Sequence, residues 1–284
     1  MKNLGIHPDF PKVSVFADKD FCCTEPYPTK KDLSDFYRSK YREIRAETPN
    51  ADYIHFMKMR AGFQKQFIEG CSDIRFFSRI LDIGSGCGAL LHALSPIGDS
   101  LQGWEPDHAM FEFSSITFAN ERISFVNGLF DHLMCHEQYD LITMSHVLEH
   151  VPQPHNFLSA LVSKTLSPGG CLFIEVPNDP PHWVEKQIQW RLRGMAHLNY
   201  FTQSSLESHL KESGFKILAC RHCGNQLDIE IRKMRPLTRL ERAFRKVRRL
   251  LRKDNINSEV SPDYSPANQK NGVYLQALAQ RVID

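Results

Sequence analysis

Residues 81–88 read Leu81-Asp82-Ile83-Gly84-Ser85-Gly86-Cys87-Gly88. An apolar run, RILDI, leads directly into three glycines separated by single residues, and an amphipathic run, GALLHAL, follows. A strand that ends in a glycine-rich turn and opens a helix lets a ligand approach the backbone where side chains would block it, beside the free N–H groups of the helix start. The segment therefore predicts a nucleotide or nucleoside site at the carboxyl end of a buried strand. By spacing alone GSGCGA also satisfies the dinucleotide fingerprint GxGxxG/A, with Glu105 about twenty residues on as a ribose-binding acid. On the glycines alone, S-adenosylmethionine (SAM) and a nicotinamide dinucleotide both stay open.

Outward from this turn the pattern repeats as strand then helix. SLQGW precedes HAMFEFSSITFA; ISFV follows; YDLITMS precedes HNFLSALVSKTL; and CLFIEVP comes next. Short β-branched and aromatic runs alternating with longer amphipathic ones predict a parallel sheet with helices on both faces. A helix is expected at 203–213, with Thr202 or Ser204 as N-cap and Gly214 closing it. FKILACRHC and GVYLQALAQRV read as two further strands. The expected fold is α/β, a doubly wound and mostly parallel seven-stranded sheet. Its SAM-binding or nucleotide-binding domain spans 71–231 and 272–284, behind a helical N-terminal cap over 1–70. The remaining 232–271 form an insertion before the last strand.

Four segments in order over roughly 78–215 resemble the class I methyltransferases. LDIGSGCG is similar to their first motif, with Asp82 ahead of the glycines. GWEPD is similar to the second, with Glu105 ending strand two. VNGLF and YDLITMSHVLEHVPQPHNFL resemble the third-strand turn and the fourth strand with its helix, and LSPGGCLFIEVPN the fifth strand. The resemblance implies SAM as cofactor and S-adenosylhomocysteine as product. It places Gly84 and Gly86 by the methionine moiety and Glu105 on both ribose hydroxyls, a task that suits an acceptor-only carboxylate. It also implies that Asn127, Gly128 and Leu129 form the turn at the adenine and that Ser145 lies beside the sulfonium. Plain packing is the alternative for Leu129 and Ser145.

Methyl transfer from a sulfonium is an in-line displacement, so the protein has to align the acceptor and take its proton. Histidine is the side chain suited to that proton near neutral pH. SHVLEHV supplies His146, Glu149 and His150 at i, i+3, i+4, one face of a helix if the helix starts by 146. The segment resembles the EVIEHV-like stretch of ubiquinone-biosynthesis O-methyltransferases and small-RNA methyltransferases, where acids and a histidine hold a divalent metal. His146 in place of the first acid argues against assigning metal ligands here. HVLEHV, IEVPN and HLNYFTQSSLE together are most similar to bacterial sugar and cell-envelope-glycan methyltransferases. Among these are deoxysugar C-methyltransferases with an acid-His-x-x-Tyr-Phe segment, whose histidine is the base and matches His197. Ala196 stands where they carry the acid, and their four-cysteine zinc module has no counterpart, which favours O-methylation over C-methylation. YPTKKDLSDFYRSKY also resembles the lead-in of these sugar enzymes. Each histidine alone retains a structural alternative.

These readings imply a sugar-containing acceptor, with a phenolic or quinone-like acceptor, an RNA, or a non-catalytic SAM-responsive role as the alternatives. Eight scattered cysteines, including one CxxC at Cys220 and Cys223 with no second pair, predict reduced thiols rather than a disulfide framework or a four-ligand zinc site. No apolar run approaches the roughly 18 residues that cross a bilayer, and MKNLGIHPDFPKV lacks the apolar core of a secretory signal. A cytoplasmic protein is expected. The net charge of +2 conceals a segment, 232–253, with eleven Lys/Arg against Glu241 alone. Apolar residues at 237, 240, 244, 247 and 251 make it a basic amphipathic helix by periodicity. Such a helix suits peripheral contact with an anionic membrane; packing on the acidic remainder of the chain or on a polyanion are alternatives. Beyond this charge no RNA-binding module is evident, so nucleic acid is not the expected partner. The polar stretch 254–271 is expected to be poorly ordered.

Overall fold

In the computed structural model, which describes residues 1–36, 49–135, 137–190, 196–224 and 272–283, the alternation beyond residue 77 becomes a seven-stranded sheet. Its strands are β4 (Phe77–Ile83), β5 (Gly98–Glu105), β6 (Ile123–Asn127), β7 (Tyr139–Ser145), β8 (Leu166–Pro177), β10 (Phe215–Cys223) and β11 (Tyr274–Arg281). The order across the sheet is β10-β11-β8-β7-β4-β5-β6. From β8 to β6 every neighbouring pair is parallel; β11 lies antiparallel between β8 and β10. The strand order reverses about β4, so ligands belong at the carboxyl ends of β4 and β7.

Strand alternation sends side chains to two separate cores. On one face Phe77, Ile80, Leu141 and Phe173 meet Phe67 and Ile68 of α2 (Ala51–Cys71) and Leu90 and Leu91 of α3 (Ala89–Leu94). On the other, Leu81, Ile142, Met144, Ile174 and Val176 meet Leu158 of α5 (Pro154–Ala160) and Leu206 and Leu210 of α7 (Gln203–Glu212). Each fully buried Leu, Ile or Phe contributes about 1.5–3 kcal/mol. Asp107 caps α4 (His108–Phe118) by accepting from the N–H groups of Ala109 and Met110 at 2.9 and 3.1 Å. Thr202 caps α7 in a reciprocal box with Ser205, and Gly214 follows its end at φ 92°.

The helical cap expected over 1–70 starts instead as a small antiparallel sheet. β1 (Lys2–Ile6), β2 (Ser14–Asp18) and β3 (Phe21–Glu25) are joined in order and closed by β9 (Asn199–Tyr200). Val15, Cys22 and Thr24 alternate inward and are fully buried, a period-two pattern that a search for helices overlooks. Lys19 at φ 51° makes the two-residue turn between β2 and β3. Only then come α1 (Lys30–Asp35) and α2. α6 (Pro181–Gln189) covers this sheet through Val184 and Ile188. The basic helix expected at 232–253 and the polar stretch 254–271 lie outside the described residues.

Candidate active site

The glycine turn is shaped as its sequence requires. Gly84, Gly86 and Gly88 have φ of 72°, 52° and 78°, the left-handed region that side chains rarely adopt. A Cβ at Gly84 would collide with Val147, whereas one at Gly86 would project into open space. The turn is fastened to the next strand by Gly84 and Ser85 N–H groups donating to the Trp104 carbonyl at 2.8 and 3.0 Å. Glu105, 7% exposed, accepts from the Gly86 N–H and the Asp107 N–H, each at 2.7 Å. Burial outweighs these two donors and pushes its carboxyl up to about 7. Asp82 accepts from the Thr143 hydroxyl at 2.7 Å and is likewise pushed up to about 7, by burial first. The Asn127 amide and the Gly128 N–H both donate to the Glu105 carbonyl, at 2.9 and 3.0 Å, drawing the third-strand turn against the glycine turn. Leu129 is exposed at that turn, so it is no core residue.

Ser145 ends β7, and its hydroxyl accepts from Arg60 and Gln64 at 3.1 and 2.9 Å. These two residues, four apart on one face of α2, were missed from sequence because a mid-helix Arg and Gln read as solvent-facing. Arg60 also pairs with the fully buried Glu175 of β8, which the Gln276 amide contacts at 2.5 Å. Burial alone would raise Glu175; Arg60, His146 and Gln276 instead hold it far below the usual carboxylate range. Its only sequence signal was a lone acid in an apolar strand, FIEVP.

Past Ser145 the chain does not continue as a helix, so the condition for one helical face from 146 is not met. His146 turns at φ 58°, its N–H donating to the Glu175 carbonyl at 2.8 Å, and only Leu148–His150 form a single 3-10 turn. Pro152 holds Val151 extended and stops it. The tight turn still gathers the predicted residues. Glu149, 1% exposed, has His146 Nδ1 at 3.3 Å and His150 Nε2 at 3.9 Å from its Oε1. Neither carboxylate oxygen has a well-aligned hydrogen bond among the described residues. Burial pushes Glu149 up, but His146 and His150 together leave it below its ordinary value. The His197 ring lies 5.0 Å from that of His150. Glu149, His150 and His197 each present a ligand atom within 4.8 Å of the others. His146 also spans to Glu175, at 3.5 Å.

The small sheet is what brings His197 here. The Thr24 N–H donates to the Leu198 carbonyl at 2.9 Å, and the Leu198 N–H donates to the Glu149 carbonyl at 2.7 Å. His7 Nε2 meets the His197 carbonyl at 2.9 Å, and the Tyr27 hydroxyl donates to Asn199 at 2.8 Å. The glycine turn and a cluster of histidines around Glu149 thus share the carboxyl edge of one sheet, and residues 34–219 match the family described as a methyltransferase domain. The chain belongs to that family of methyltransferases.

The methyltransferase is 27% identical over 206 residues to the ubiquinone biosynthesis O-methyltransferase of Maricaulis maris, covering 63% of this chain and 79% of that one. The chain spans about half or less of the first curated relatives it matches, the ubiquinone biosynthesis O-methyltransferases of Hydrogenovibrio crunogenus (42%) and Pectobacterium carotovorum (50%). Among solved structures it is similar to the N-methyltransferase NodS of Bradyrhizobium japonicum in complex with S-adenosylhomocysteine. The TM-score is 0.53 and the identity 16%, over 85% of this chain and 97% of that one. A SAM-dependent methyltransferase of Mesorhizobium loti gives 0.51 and 16%, over 78% and 100%. The cofactor of the methyltransferase is SAM. The left-handed glycines, the open space at Gly86 and the buried acceptor Glu105 fit its nucleoside and methionine parts.

Proposed function

We propose that this enzyme methylates a sugar hydroxyl, on a nucleotide-sugar or an envelope glycan, with His197 as the base. The observation that carries the reading is the convergence of His146, Glu149, His150 and His197 in one cluster beside the end of β7. The resemblance of HLNYF and IEVPN to sugar methyltransferases supports the class of acceptor. SAM supplies a methyl on a positively charged sulfur, which leaves as a neutral thioether. The chain's own residues do the rest. His197 takes the hydroxyl proton as the oxygen gains the methyl, and the Glu149 carboxylate offsets the charge the imidazoles acquire. Burial of both side chains keeps bulk water from competing. Positioned bases of this kind contribute about 10²–10⁴ in rate. His197→Ala should therefore lower turnover by about that factor while SAM affinity changes less than about twofold. Loss of SAM binding would remove His197 from this role.

A second reading is favoured by the 4.8 Å grouping of Glu149, His150 and His197 and by the names of the curated relatives. In it these three would hold a divalent cation, which would lower the pKa of a phenolic hydroxyl. Mass spectrometry of nucleotide-sugars, envelope glycans and catechols incubated with SAM and enzyme, with and without chelator, separates the two. A chelator-resistant gain of one methyl on a sugar supports the first; a chelator-sensitive gain on a catechol replaces it with the second. We further propose that 232–253 holds the enzyme against an anionic membrane surface, where a lipid-linked acceptor would be presented.

A further inference from the structure

His197 is followed by LNYF but preceded by Ala196, so no neighbour in sequence can orient its ring. The structure supplies an acid through space. Asp179, between β8 and α6, is 1% exposed. Its N–H donates to the Phe201 carbonyl at 2.8 Å, which fixes its backbone against the segment that follows His197. Its Oδ1 accepts from the Gln187 side chain of α6 at 3.1 Å, and its Oδ2 lies 3.8 Å from His197 Nδ1. Burial, and after it the Asp179 charge, hold the neighbouring Tyr200 phenol well above its usual range. A separation of 3.8 Å is just beyond hydrogen-bond length, and catalytic pairs of this sort tighten when substrate closes the site.

We infer that Asp179 is the positioning residue of His197: it keeps the ring proton on Nδ1 and leaves Nε2 as the lone-pair nitrogen for the acceptor side. The reason is the donor inventory. A carboxylate only accepts, so the nitrogen facing it must carry hydrogen, and a neutral imidazole then has its lone pair on the other. Gln187 completes the arrangement by occupying the other carboxylate oxygen. The inference deepens the O-methylation reading and rests on it for His197 as the base.

The tautomer can be read directly by long-range ¹H–¹⁵N correlation on the full-length ¹⁵N-labelled enzyme, saturated with S-adenosylhomocysteine and treated with chelator. The His197 signals are identified by their loss in His197→Gln. The expected wild-type pattern is Nδ1–H. In Asp179→Asn, Gln187 continues to hold the carbonyl oxygen, so the amide NH₂ faces the ring and the pattern should invert to Nε2–H. S-adenosylhomocysteine affinity should stay within about twofold, because no cofactor-side contact changes. With an acceptor in hand, the turnover of Asp179→Asn should fall by up to about 10⁴ with KM little changed, as tautomer inversion does in a Ser-His-Asp triad. An Nε2–H wild-type ring, or a variant with the wild-type pattern, overturns the inference. If the variant does not fold, the wild-type tautomer decides alone. No acceptor enters the tautomer measurement, so an enzyme with Nδ1–H on His197 that is inactive on sugars overturns the acceptor reading and leaves this one.

Discussion

Asp82 and Glu105 are enclosed carboxylates pushed up to about 7, and the sign of their effect on stability is opposite to that of Glu175. A carboxyl raised by burial is protonated in the folded chain while the unfolded chain is ionised. Folding therefore takes up protons between about pH 4 and 7, and stability is lost as pH rises through that window. The slope is at most about 1.4 kcal/mol per pH unit for each group. Glu175, held far below its usual range, contributes stability above its unfolded value near 4.5 that is lost only on acidification. Urea unfolding of the cofactor-free protein from pH 5 to 8 should thus show falling stability. Asp82→Asn, whose amide oxygen can still accept from Thr143, should remove about one proton's worth of that slope. An unchanged slope would mean that Asp82 is ionised in the fold. Glu105 adds a consequence for binding: hydroxyl donors favour its charged form, so SAM affinity should rise between pH 6 and 8 as measured by calorimetry. Gly86→Val should abolish that binding without unfolding the protein, because its side chain would enter open space; left-handed backbone costs about 1–2 kcal/mol for such a residue. The placement of Asp82, Gly86 and Glu105 was legible from LDIGSGCG and GWEPD, since local backbone chemistry fixes where a strand ends and how a glycine turn bends.

The partners that come from distant elements were not legible, and α2 shows why. Arg60 and Gln64 reach Ser145 across 85 and 81 residues of chain, and Arg60 pairs with Glu175 across 115. Local spacing carries no trace of such contacts. Glu175 in FIEVP was visible as an oddity but had no visible partner. Whether a helix starts by 146 was open for a related reason: a period of three and four is shared by an α-helix and by a tight turn broken at Pro152, and only the Glu175 carbonyl bonded to the His146 N–H decides between them. The small sheet was missed because 1–70 reads as a helical cap on the pattern of KKDLSDFYRSKY, although Val15, Cys22 and Thr24 carried the strand period. The Arg60–Glu175 pair has a measurable cost of removal. Arg60→Met leaves a buried carboxylate without its main counter-charge and should destabilise the fold by about 3–5 kcal/mol. Adding Glu175→Gln should recover a large part of that loss, because a neutral amide needs no cation. Chemical denaturation of the two variants checks this, and additive losses would mean that the pair is not coupled.

The insertion between β10 and β11 starts and ends at one edge of the sheet. Cys223 pairs with Tyr274 and Tyr274 with Pro177, so the chain leaves and re-enters at the carboxyl edge of the sheet. There Asn178 donates to the Gly272 carbonyl at 3.1 Å, one residue before Asp179. The chain between carries the eleven Lys/Arg of 232–253, and the remainder of the molecule is correspondingly acidic, with a net charge of only +2 for the whole. Among the described residues no helix is long and apolar enough to cross a membrane; the eleven Lys/Arg of 232–253 would make attachment through that segment electrostatic. Near a phosphatidylserine-rich surface each cation contributes about 1 kcal/mol, and the attraction decays within a Debye length of about 10 Å at 0.1 M salt. Full-length enzyme should therefore co-sediment with phosphatidylserine vesicles at 50 mM salt, release as salt is raised toward about 0.5 M, and ignore phosphatidylcholine vesicles. Deletion of 232–253 should abolish co-sedimentation and leave SAM affinity intact, since the residues expected to meet the cofactor lie at the ends of β4, β5 and β7 and in the turns after β4 and β6. Equal sedimentation with and without the segment would place the membrane contact elsewhere. Binding to RNA but not to vesicles would instead assign the charge to a nucleic-acid partner, with the acceptor following it.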